Sequence, residues 1–306
     1  MTTRDELDGA EAPAPAPGGV HMGGDMAMST LLVSATRCLM HAPLTPAVSS
    51  AHGGASLAML LMMVDVGASS PVLASTEGWT ATQDLSLSRA GSLVDGPILV
   101  DNQLLRVGRR VAVAVAEVYD GHGMDDLERF AGNLESAGAD GPGAGLSLAG
   151  RSLVTYALLP RTAARGVDDY DPLSWVGAIQ RREESTLGSE TLVERLGFRT
   201  LDAGAGVLEL ELTSYVVNSI GTINGGAQAY LVEACAESIC PGKVAADMEL
   251  HYLSQVKVGP ARSSGTVLRQ SDEHAVVTVE LRDAGHHDQL LSVATVTLVA
   301  PSVLGL

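Results

Sequence analysis

The pattern of apolar and polar positions predicts one series of elements twice along the chain. In the second half, residues 206–217 alternate apolar and polar side chains as a half-buried strand does, and the apolar run at 227–238 predicts a helix. Pro241-Gly242 ends that helix. Further alternation predicts antiparallel strands at about 244–254, 261–270, 274–283 and 290–299.

The first half follows the same order with one interruption. Its pattern predicts a strand near 30–40 and an apolar helix at about 55–68, then strands near 79–89, 97–106, 110–119 and 151–159. Thirty residues separate Asp120 from Arg151, whereas six separate Asp283 from Leu290. The longer stretch, about 121–150, is predicted to be a surface excursion with a short helix at 124–135.

An internal repeat supports this parallel between the halves. Residues 84–120 recur without a gap at 247–283, an offset of 163, and ten of the thirty-seven positions are identical. In the first copy these are Asp84, Leu87, Gly96, Pro97, Leu105, Arg106, Ala112, Val113, Glu117 and Asp120. Two units are too few for a solenoid, so they are predicted to pair as a fused dimer whose seam takes residues from both.

The predicted fold class is α+β. Two units lie in tandem, each a long apolar helix wrapped by a curved antiparallel sheet, with the two sheets joined edge to edge. The predicted divisions are a disordered N-terminal arm at 1–27, a first unit at 28–160, a linker at 161–174 and a second unit at 175–306. The arm is assigned from its acidic residues and Ala-Pro repeats.

Composition narrows the class of partner. The 306 residues include 19 basic and 36 acidic ones, a formal charge of −17. This charge argues against nucleic acid and anionic membranes, and less strongly against an acidic carrier protein. Cys38, Cys235 and Cys240 have no metal-ligand spacing, and the N-terminus lacks the regions of a signal peptide. We therefore expect a cytoplasmic protein without a metal or cofactor.

One stretch is apolar enough to raise the question of a membrane span. Between Gly53 and Thr76 the only charged residue is Asp65. The length permits a span, but Asp65 lies in mid-stretch and no basic flank fixes an orientation. A helix buried in a protein core is the favoured interpretation.

A motif at the start of the second predicted helix resembles a known family. Asn218-Ser-Ile-Gly-Thr-Ile-Asn224-Gly225-Gly226, followed by Glu233, is similar to the hotdog-fold acyl-CoA thioesterases of the phenylacetate-pathway type. Their pattern is Asn, a short Gly-containing loop, His-Gly-Gly, and an acid nine residues after the His. The segment from Asp247 to Gly259 is similar to the family's next strand and turn. The resemblance covers residues 200–300 well and 50–160 more loosely, and it implies a double-hotdog thioesterase.

The second half departs from the family pattern at three positions. Asn224 stands in place of the His, Glu233 in place of Asp, and Ala245 where many relatives have Ser or Thr two residues before the strand Asp.

The first half departs in a different way. His52-Gly53-Gly54 resembles the family turn, but Asp65 follows His52 by thirteen residues rather than nine. Asp65 precedes Asp84 by nineteen residues, close to the family's helix-to-strand distance, and Thr82 occupies the Ser/Thr position. Asp65 therefore matches the family's catalytic acid, whereas His52 is out of register.

Thioester hydrolysis needs a base or nucleophile and donors for the oxyanion, which a helix N-terminus supplies. An acid nine residues along the same helix is about 13 Å from that terminus, so it must come from the facing helix. Two unequal sites result. The one predicted to be active joins Asp65 and Thr82 to Asn218, Asn224, Gly225 and Gly226. The other joins the His52-Gly53-Gly54 turn to Glu233.

Within the first site the resemblance implies one role for each residue. Asp65 activates water or attacks the thioester, and Thr82 orients it. The Gly225 N–H, with Asn218 and Asn224 nearby, holds the carbonyl oxygen.

Each candidate also has a purely structural explanation. Asp65 can cap a neighbouring backbone, Glu233 with Glu237 one turn later can lie at a solvated edge, and Gly225-Gly226 can permit tight entry to the helix. His52 is equally a loop histidine. The pair Arg109-Arg110 is either a solvated turn, which is favoured, or a site for a CoA phosphate.

The leading prediction is an acyl-CoA thioesterase that self-associates. The alternatives are a non-catalytic acyl- or CoA-binding hotdog protein and, less favoured, a hotdog hydratase or dehydratase, for which no Asp…His pair is found near either helix. Since the chain has two Phe and two Trp, the acyl pocket is predicted to be lined by Leu, Met and Val.

Overall fold

In the first half of the chain, two strands precede one long helix and four strands follow it, much as the pattern of apolar and polar residues predicts. The computed structural model describes residues 20–136, 145–164, 167, 169–181 and 185–306. The elements of this half are α1 (Met22–Asp25), β1 (Ser29–Ser34), β2 (Arg37–Ala42), α2 (Leu57–Ala74), β3 (Trp79–Arg89), β4 (Ile98–Val107), β5 (Val111–Asp120), α3 (Leu127–Ser136) and β6 (Ser147–Leu159).

The second half repeats the plan after a short connecting strand. Its elements are β7 (Ile179–Arg181), α4 (Leu192–Leu196), β8 (Arg199–Asp202), β9 (Val207–Leu210), α5 (Gly225–Ile239), β10 (Val244–Tyr252), β11 (Ala261–Gln270), β12 (His274–Asp283) and β13 (Gln289–Val299).

All the described strands belong to one sheet, in the order β7-β1-β2-β4-β5-β6-β3-β10-β13-β12-β11-β9-β8. The halves meet where β3 pairs antiparallel with β10. In this pairing Ser86 lies opposite Glu249, and these two residues are themselves 163 apart. A pseudo-twofold axis therefore passes through that pair, and the prediction of two sheets joined edge to edge is confirmed.

The repeat identities at the turns have a structural cause. The Asp120 carboxylate accepts the N–H groups of Val94, Asp95 and Gly96 at 2.8, 3.0 and 2.7 Å. Asp283 accepts the corresponding three N–H groups, of residues 257–259, at 2.7, 3.1 and 2.8 Å. Each acid thus satisfies three backbone donors of a tight turn, which explains its recurrence without any catalytic role.

The two long helices pack side by side inside the curved sheet and run in opposite directions. Gly226 makes the close approach possible, because a Cβ there would lie 2.2 Å from the Met62 sulfur. Among the described residues, α2 meets the length and apolarity criteria for a membrane span, and 78% of it is buried in the protein. Contact with both the sheet and α5 accounts for its apolar character on all sides.

Several boundaries differ from the prediction. The helix predicted at 55–68 continues to Ala74, since residues 70–73 are also buried. The strand predicted at 30–40 is a hairpin of β1 and β2. The strand predicted at 206–217 is regular only as β9, because the chain turns at Thr213–Val216.

The described residues bear on the predicted N-terminal arm and on the predicted start of the second unit. Residues 1–19 lie outside the described residues, but Met22 and Met26 are buried, and Asp25 accepts the Tyr215 hydroxyl at 2.8 Å. Residues 22–27 are therefore part of the fold. β7 falls within the range predicted for the second unit, yet it pairs with β1 of the first.

The predicted excursion at 121–150 packs more closely than expected, although residues 137–144 of it lie outside the described residues. Helix α3 buries Phe130 against Tyr119, with ring centroids 5.8 Å apart, and against Leu39 and Leu99. Leu39 points away from the main core because it alternates with Cys38 and Met40. Helix α3 thus covers the outer face of the sheet at β1, β2, β4 and β5.

Candidate active site

Asp65, the ninth residue of α2, is held from two sides. Its Oδ1 accepts the Thr82 hydroxyl at 2.5 Å, and the Tyr156 hydroxyl donates to its main-chain oxygen at 2.6 Å. Burial raises the pKa of Asp65 to about 6, although the hydrogen bond from Thr82 lowers it. A carboxyl with this pKa can lose and regain a proton near neutral pH.

The other oxygen of Asp65 faces the start of α5. A Cβ on Gly225 would lie 3.3 Å from Asp65 Oδ2 and 2.9 Å from the Tyr252 hydroxyl oxygen, so a side chain at this position would displace one or both of them. Tyr252 donates its hydroxyl proton to the Gly225 carbonyl at 2.8 Å. Among the described residues, no acceptor for the Gly225 N–H is found. An acid of the first unit and a free helix N–H of the second therefore meet across the seam.

Asn218 and Asn224 shape the turn that leads into α5. Asn224 is the N-cap, and its Oδ1 accepts the Gly226 N–H at 2.8 Å. Asn218 Oδ1 accepts the N–H groups of Ile220 and Thr222 at 3.1 and 3.2 Å. Because both carbonyl oxygens bind backbone, the amide Nδ2 groups remain to donate to a substrate.

These residues open onto a cavity of about 660 Å³ that runs along the second half of α2. Its lining includes Trp79, Trp175 and Tyr170, as well as Tyr156 and Tyr252. Val66, Leu73, Val167 and Leu253 also line it but no methionine among the described residues does, so the wall is more aromatic than the predicted lining of Leu, Met and Val. The sequence contains few aromatic residues, but the fold gathers both tryptophans at this cavity.

Trp79 is fixed within the cavity wall by three neighbours. Its Nε1 donates to the Ser219 hydroxyl at 3.1 Å, and its ring meets that of Tyr170 edge to face at 5.7 Å. The Arg161 guanidinium lies 5.9 Å from the ring centroid. The chain between the two units thus supplies part of the wall, and Trp79 links it to the loop of the second unit.

The second predicted site is filled by the protein itself. Glu233, the ninth residue of α5, accepts the Ser56 hydroxyl and the N–H groups of Leu57 and Ala58 at 2.6, 2.9 and 3.0 Å. It is 6% exposed, so it is neither a solvated edge residue nor available as a catalytic acid. The start of α2, which would hold an oxyanion, is occupied by this carboxylate.

The His52-Gly53-Gly54 turn does not take part in a site. His52 and Gly53 are exposed, and Gly54 packs against Leu93 and Leu306. The turn lies before the helix because Ser56, four residues after His52, is the N-cap of α2. The out-of-register position of His52 is confirmed, and its role in substrate binding is not supported.

No protein-family model and no curated protein matches the sequence, but solved structures match its fold. The tesB protein of Mycobacterium avium subs paratuberculosis superposes with a TM-score of 0.55 at 8% identity, over 88% of this chain and 94% of that one. The 12:0-ACP thioesterase of Umbellularia californica gives 0.52 at 11%, over 86% and 93%. A conserved protein with a hot dog fold from Alicyclobacillus acidocaldarius gives 0.50 at 8%, over 91% and 97%. This chain has the double-hotdog fold.

Two further predicted features of this double-hotdog chain lie outside the cavity. Gly226 serves the crossing of α2 and α5 and does not line the cavity. Arg109 and Arg110 are exposed at the turn between β4 and β5, where they border a separate pocket of about 480 Å³ with Arg106. The favoured interpretation of a solvated turn fits this position.

A group with metal-ligand side chains lies near the start of the insertion. Ligand atoms of Asp95, Asp120 and His122 come within 4.8 Å of one another. Asp120 already accepts three turn N–H groups, and His122 bonds Asp95 and Ser147, each at 2.8 Å. The hydrogen bonds of these three side chains are therefore made to one another and to neighbouring protein groups.

Three residues of the double-hotdog site were missed from the sequence. Ser56 could have been found, because it precedes Asp65 by the same nine residues that separate Asn224 from Glu233. Tyr252 lies 163 residues after Arg89, so the repeat marks a difference between the two sites at that position. Nothing in the sequence pattern indicates Tyr156.

Proposed function

We propose that this double-hotdog protein hydrolyses acyl-CoA thioesters at the seam of its two units. The observation that supports this most is the position of Asp65 Oδ2, 3.3 Å from where a Gly225 side chain would begin. An acid and a helix N-terminus thereby face one point of the cavity, as acyl transfer requires. Structures of the same fold include thioesterases, which supports the reaction class.

The geometry accommodates the reaction in two steps. Asp65 Oδ2 accepts a proton from water as the water oxygen attacks the thioester carbon. The resulting oxyanion is stabilised by the Gly225 N–H and the positive end of α5. The C–S bond then breaks, and the proton held by Asp65 passes to the leaving sulfur, which gives the free acid and CoA.

Thr82 and the surrounding protein set the orientation and the pKa of the Asp65 carboxylate for its role as a base. The Thr82 hydroxyl occupies Oδ1, which directs the remaining oxygen towards α5. A pKa of about 6 leaves Asp65 ionised at pH 7 and above, yet basic enough to take a proton.

We propose one active site per chain although the fold contains two related positions. In the second position, Glu233 occupies the N–H groups of Leu57 and Ala58 that would receive an oxyanion. Displacing it would leave a buried carboxylate without its donors, which is costly.

Release of free CoA from a panel of acyl-CoAs tests the proposal. The panel should contain straight, branched and ring-bearing acyl groups, together with acyl carrier protein thioesters. Turnover of at least one acyl-CoA is expected. Saturable binding without turnover would indicate the non-catalytic alternative. Turnover of carrier-protein thioesters alone would contradict CoA as the carrier.

The hydratase alternative predicts a different product. Among the described residues that line the cavity there is no histidine to pair with Asp65. Formation of a 3-hydroxyacyl-CoA from an enoyl-CoA, without release of CoA, would contradict the proposed hydrolysis.

A further inference from the structure

We infer that the Tyr252 hydroxyl positions the attacking water beside Asp65. This role rests on the proposed hydrolysis and assigns a specific function to a residue that the sequence pattern did not mark. Tyr252 is the last residue of β10, in the second unit, whereas Asp65 belongs to the first. Both line the same cavity.

The two side chains flank the first residue of α5. Tyr252 Oη and Asp65 Oδ2 lie 2.9 and 3.3 Å from the point where a Gly225 side chain would begin. Both oxygens therefore border one small region of the cavity next to the Gly225 backbone. The Gly225 N–H belongs to the same residue, so the attacking water and the carbonyl oxygen of the thioester can be held close together.

The hydrogen bonds leave acceptor capacity on both oxygens. A tyrosine hydroxyl has one proton and two lone pairs, and the Tyr252 proton is committed to the Gly225 carbonyl at 2.8 Å. Burial and the Asp65 charge raise the pKa of Tyr252 well above its usual value, so the hydroxyl keeps that proton. Its lone pairs remain free to accept from the cavity side.

A water bound there would donate one proton to Asp65 Oδ2 and the other to Tyr252 Oη. Both of its hydrogens are then engaged, and a lone pair of its oxygen is left for the thioester carbon. When the C–O bond forms, the proton on the Asp65 side transfers to Oδ2, and the hydrogen bond to Tyr252 stays with the new hydroxyl. Tyr252 thus orients the water without exchanging its own proton.

The other half of the molecule provides an internal comparison. Arg89 lies 163 residues before Tyr252, and its Nη2 donates to the Ala55 carbonyl, just before α2, at 2.6 Å. Both side chains therefore reach the backbone at the start of a long helix. A guanidinium has no acceptor, so Arg89 cannot receive a proton from water. The arrangement that can orient water exists at only one of the two related positions.

Tyr252→Phe tests this role because it removes only the hydroxyl. We expect kcat to fall about 10- to 100-fold, as for a mispositioned reactant, with KM and thermal stability close to those of wild type. Tyr119→Phe is the matched control. Its hydroxyl also donates a single hydrogen bond, in this case to the Glu117 carboxylate at 2.6 Å, and it lies at the outer face under α3. This control should retain the wild-type kcat.

A product ratio separates orientation of water from stabilisation of the oxyanion. With hydroxylamine present, we expect the enzyme to form both the acid and the hydroxamate, each measured after subtraction of the uncatalysed reaction. Hydroxylamine is the stronger nucleophile and depends less on a held orientation. The hydroxamate-to-acid ratio should therefore rise in Tyr252→Phe, whereas loss of an oxyanion donor would slow both products equally.

Three results would overturn the role of Tyr252 while the proposed function stands. These are a kcat for Tyr252→Phe within about twofold of wild type, a lower kcat with an unchanged product ratio, and a loss accompanied by a lower Tm. If wild type releases CoA from none of the acyl-CoAs, the proposed function fails, and the role of Tyr252 fails with it.

Discussion

Asp65 and Glu233 are each the ninth residue of a long helix, yet their partners give them different chemistry. Glu233 accepts three hydrogen bonds, all from groups at the start of α2. Asp65 accepts one side-chain donor on Oδ1 and keeps Oδ2 directed at the cavity. The difference arises because Ser56 caps α2 with a hydroxyl that Glu233 can bind, whereas Asn224 caps α5 with its own carbonyl oxygen.

Replacement of the acid should stabilise the fold at neutral pH. The folded-state pKa of Asp65, about 6, lies above its ordinary value of 3.8, so the folded protein holds the proton more tightly. The stability that Asp65 confers is full below pH 4 and is lost as pH rises through 6. Asp65→Asn cannot ionise, so it should gain on the order of 1–3 kcal/mol at pH 8 and nothing at pH 4.

Thermal melts of wild type and Asp65→Asn at the two pH values measure this effect. A lower Tm for the variant at pH 8 would show that Asp65 is a structural acid, held by interactions that its charge strengthens.

The same pKa governs the rate. Because kcat/KM reports the free enzyme, it should rise about tenfold per pH unit below 6 and level off above, as ionised Asp65 becomes the dominant form. A profile measured from pH 4.5 to 8.5 with one acyl-CoA checks this. A rate that is constant or falls across pH 5–7 would count against Asp65 as the base.

Some of the individual site residues could be predicted from the sequence. The family resemblance, anchored on the repeat at Asp84, implied Asp65 and Thr82, and the structure brings them together at 2.5 Å. Ser56 was missed because the His52-Gly53-Gly54 motif placed the predicted helix start four residues too early. Tyr252 was missed because the repeat pairs it with Arg89, so no identity between the halves points to it. The capture of Glu233 by α2 depends on how two helices pack, which residue spacing alone does not encode.

The site depends on the start of one helix lying against the middle of another. Gly225 and Gly226 bring α5 close to α2, the first beside Asp65 and the second beside Met62. Most strands were predicted to within a few residues because alternation in a half-buried sheet is a local signal. The hairpin of β1 and β2 was missed, since a two-residue turn inside an apolar stretch hardly interrupts that signal.

Gly226→Ala should disturb both packing and catalysis. The new methyl group would lie 2.2 Å from Met62 Sδ and 2.8 Å from its Cβ, so the helices must separate. We expect a loss of about 1–3 kcal/mol and a lower kcat, as Gly225 moves away from Asp65.

Gly132→Ala in α3 is the matched control, since nothing lies within 4 Å of its added methyl group. It should leave the rate unchanged and keep or raise the Tm. Equal melting temperatures for Gly226→Ala and wild type would contradict the tight helix crossing.

At the scale of the whole molecule, the two halves form a single sheet with a pseudo-twofold axis, although the two related helix starts differ in their residues. We propose that the chain also self-associates, since a fused pair takes the place of a simple dimer and the exposed side chains of Leu105 and Leu268 are related by the same offset of 163. Light scattering at micromolar concentration should give a mass above 31.5 kDa. A monomer mass would contradict this proposal.

The central claim is that one site, built by Asp65 of the first unit and α5 of the second, performs the hydrolysis. Release of CoA by Asp65→Asn and Glu233→Gln, measured together on folded protein, tests it most directly. Asp65→Asn should lose about a hundredfold or more in kcat, as for a positioned base. Glu233→Gln should keep most of the rate while its Tm falls, because its charged hydrogen bonds are weakened. The opposite result, a wild-type rate in Asp65→Asn and an inactive but folded Glu233→Gln, would place the reaction at the other helix start and contradict the account.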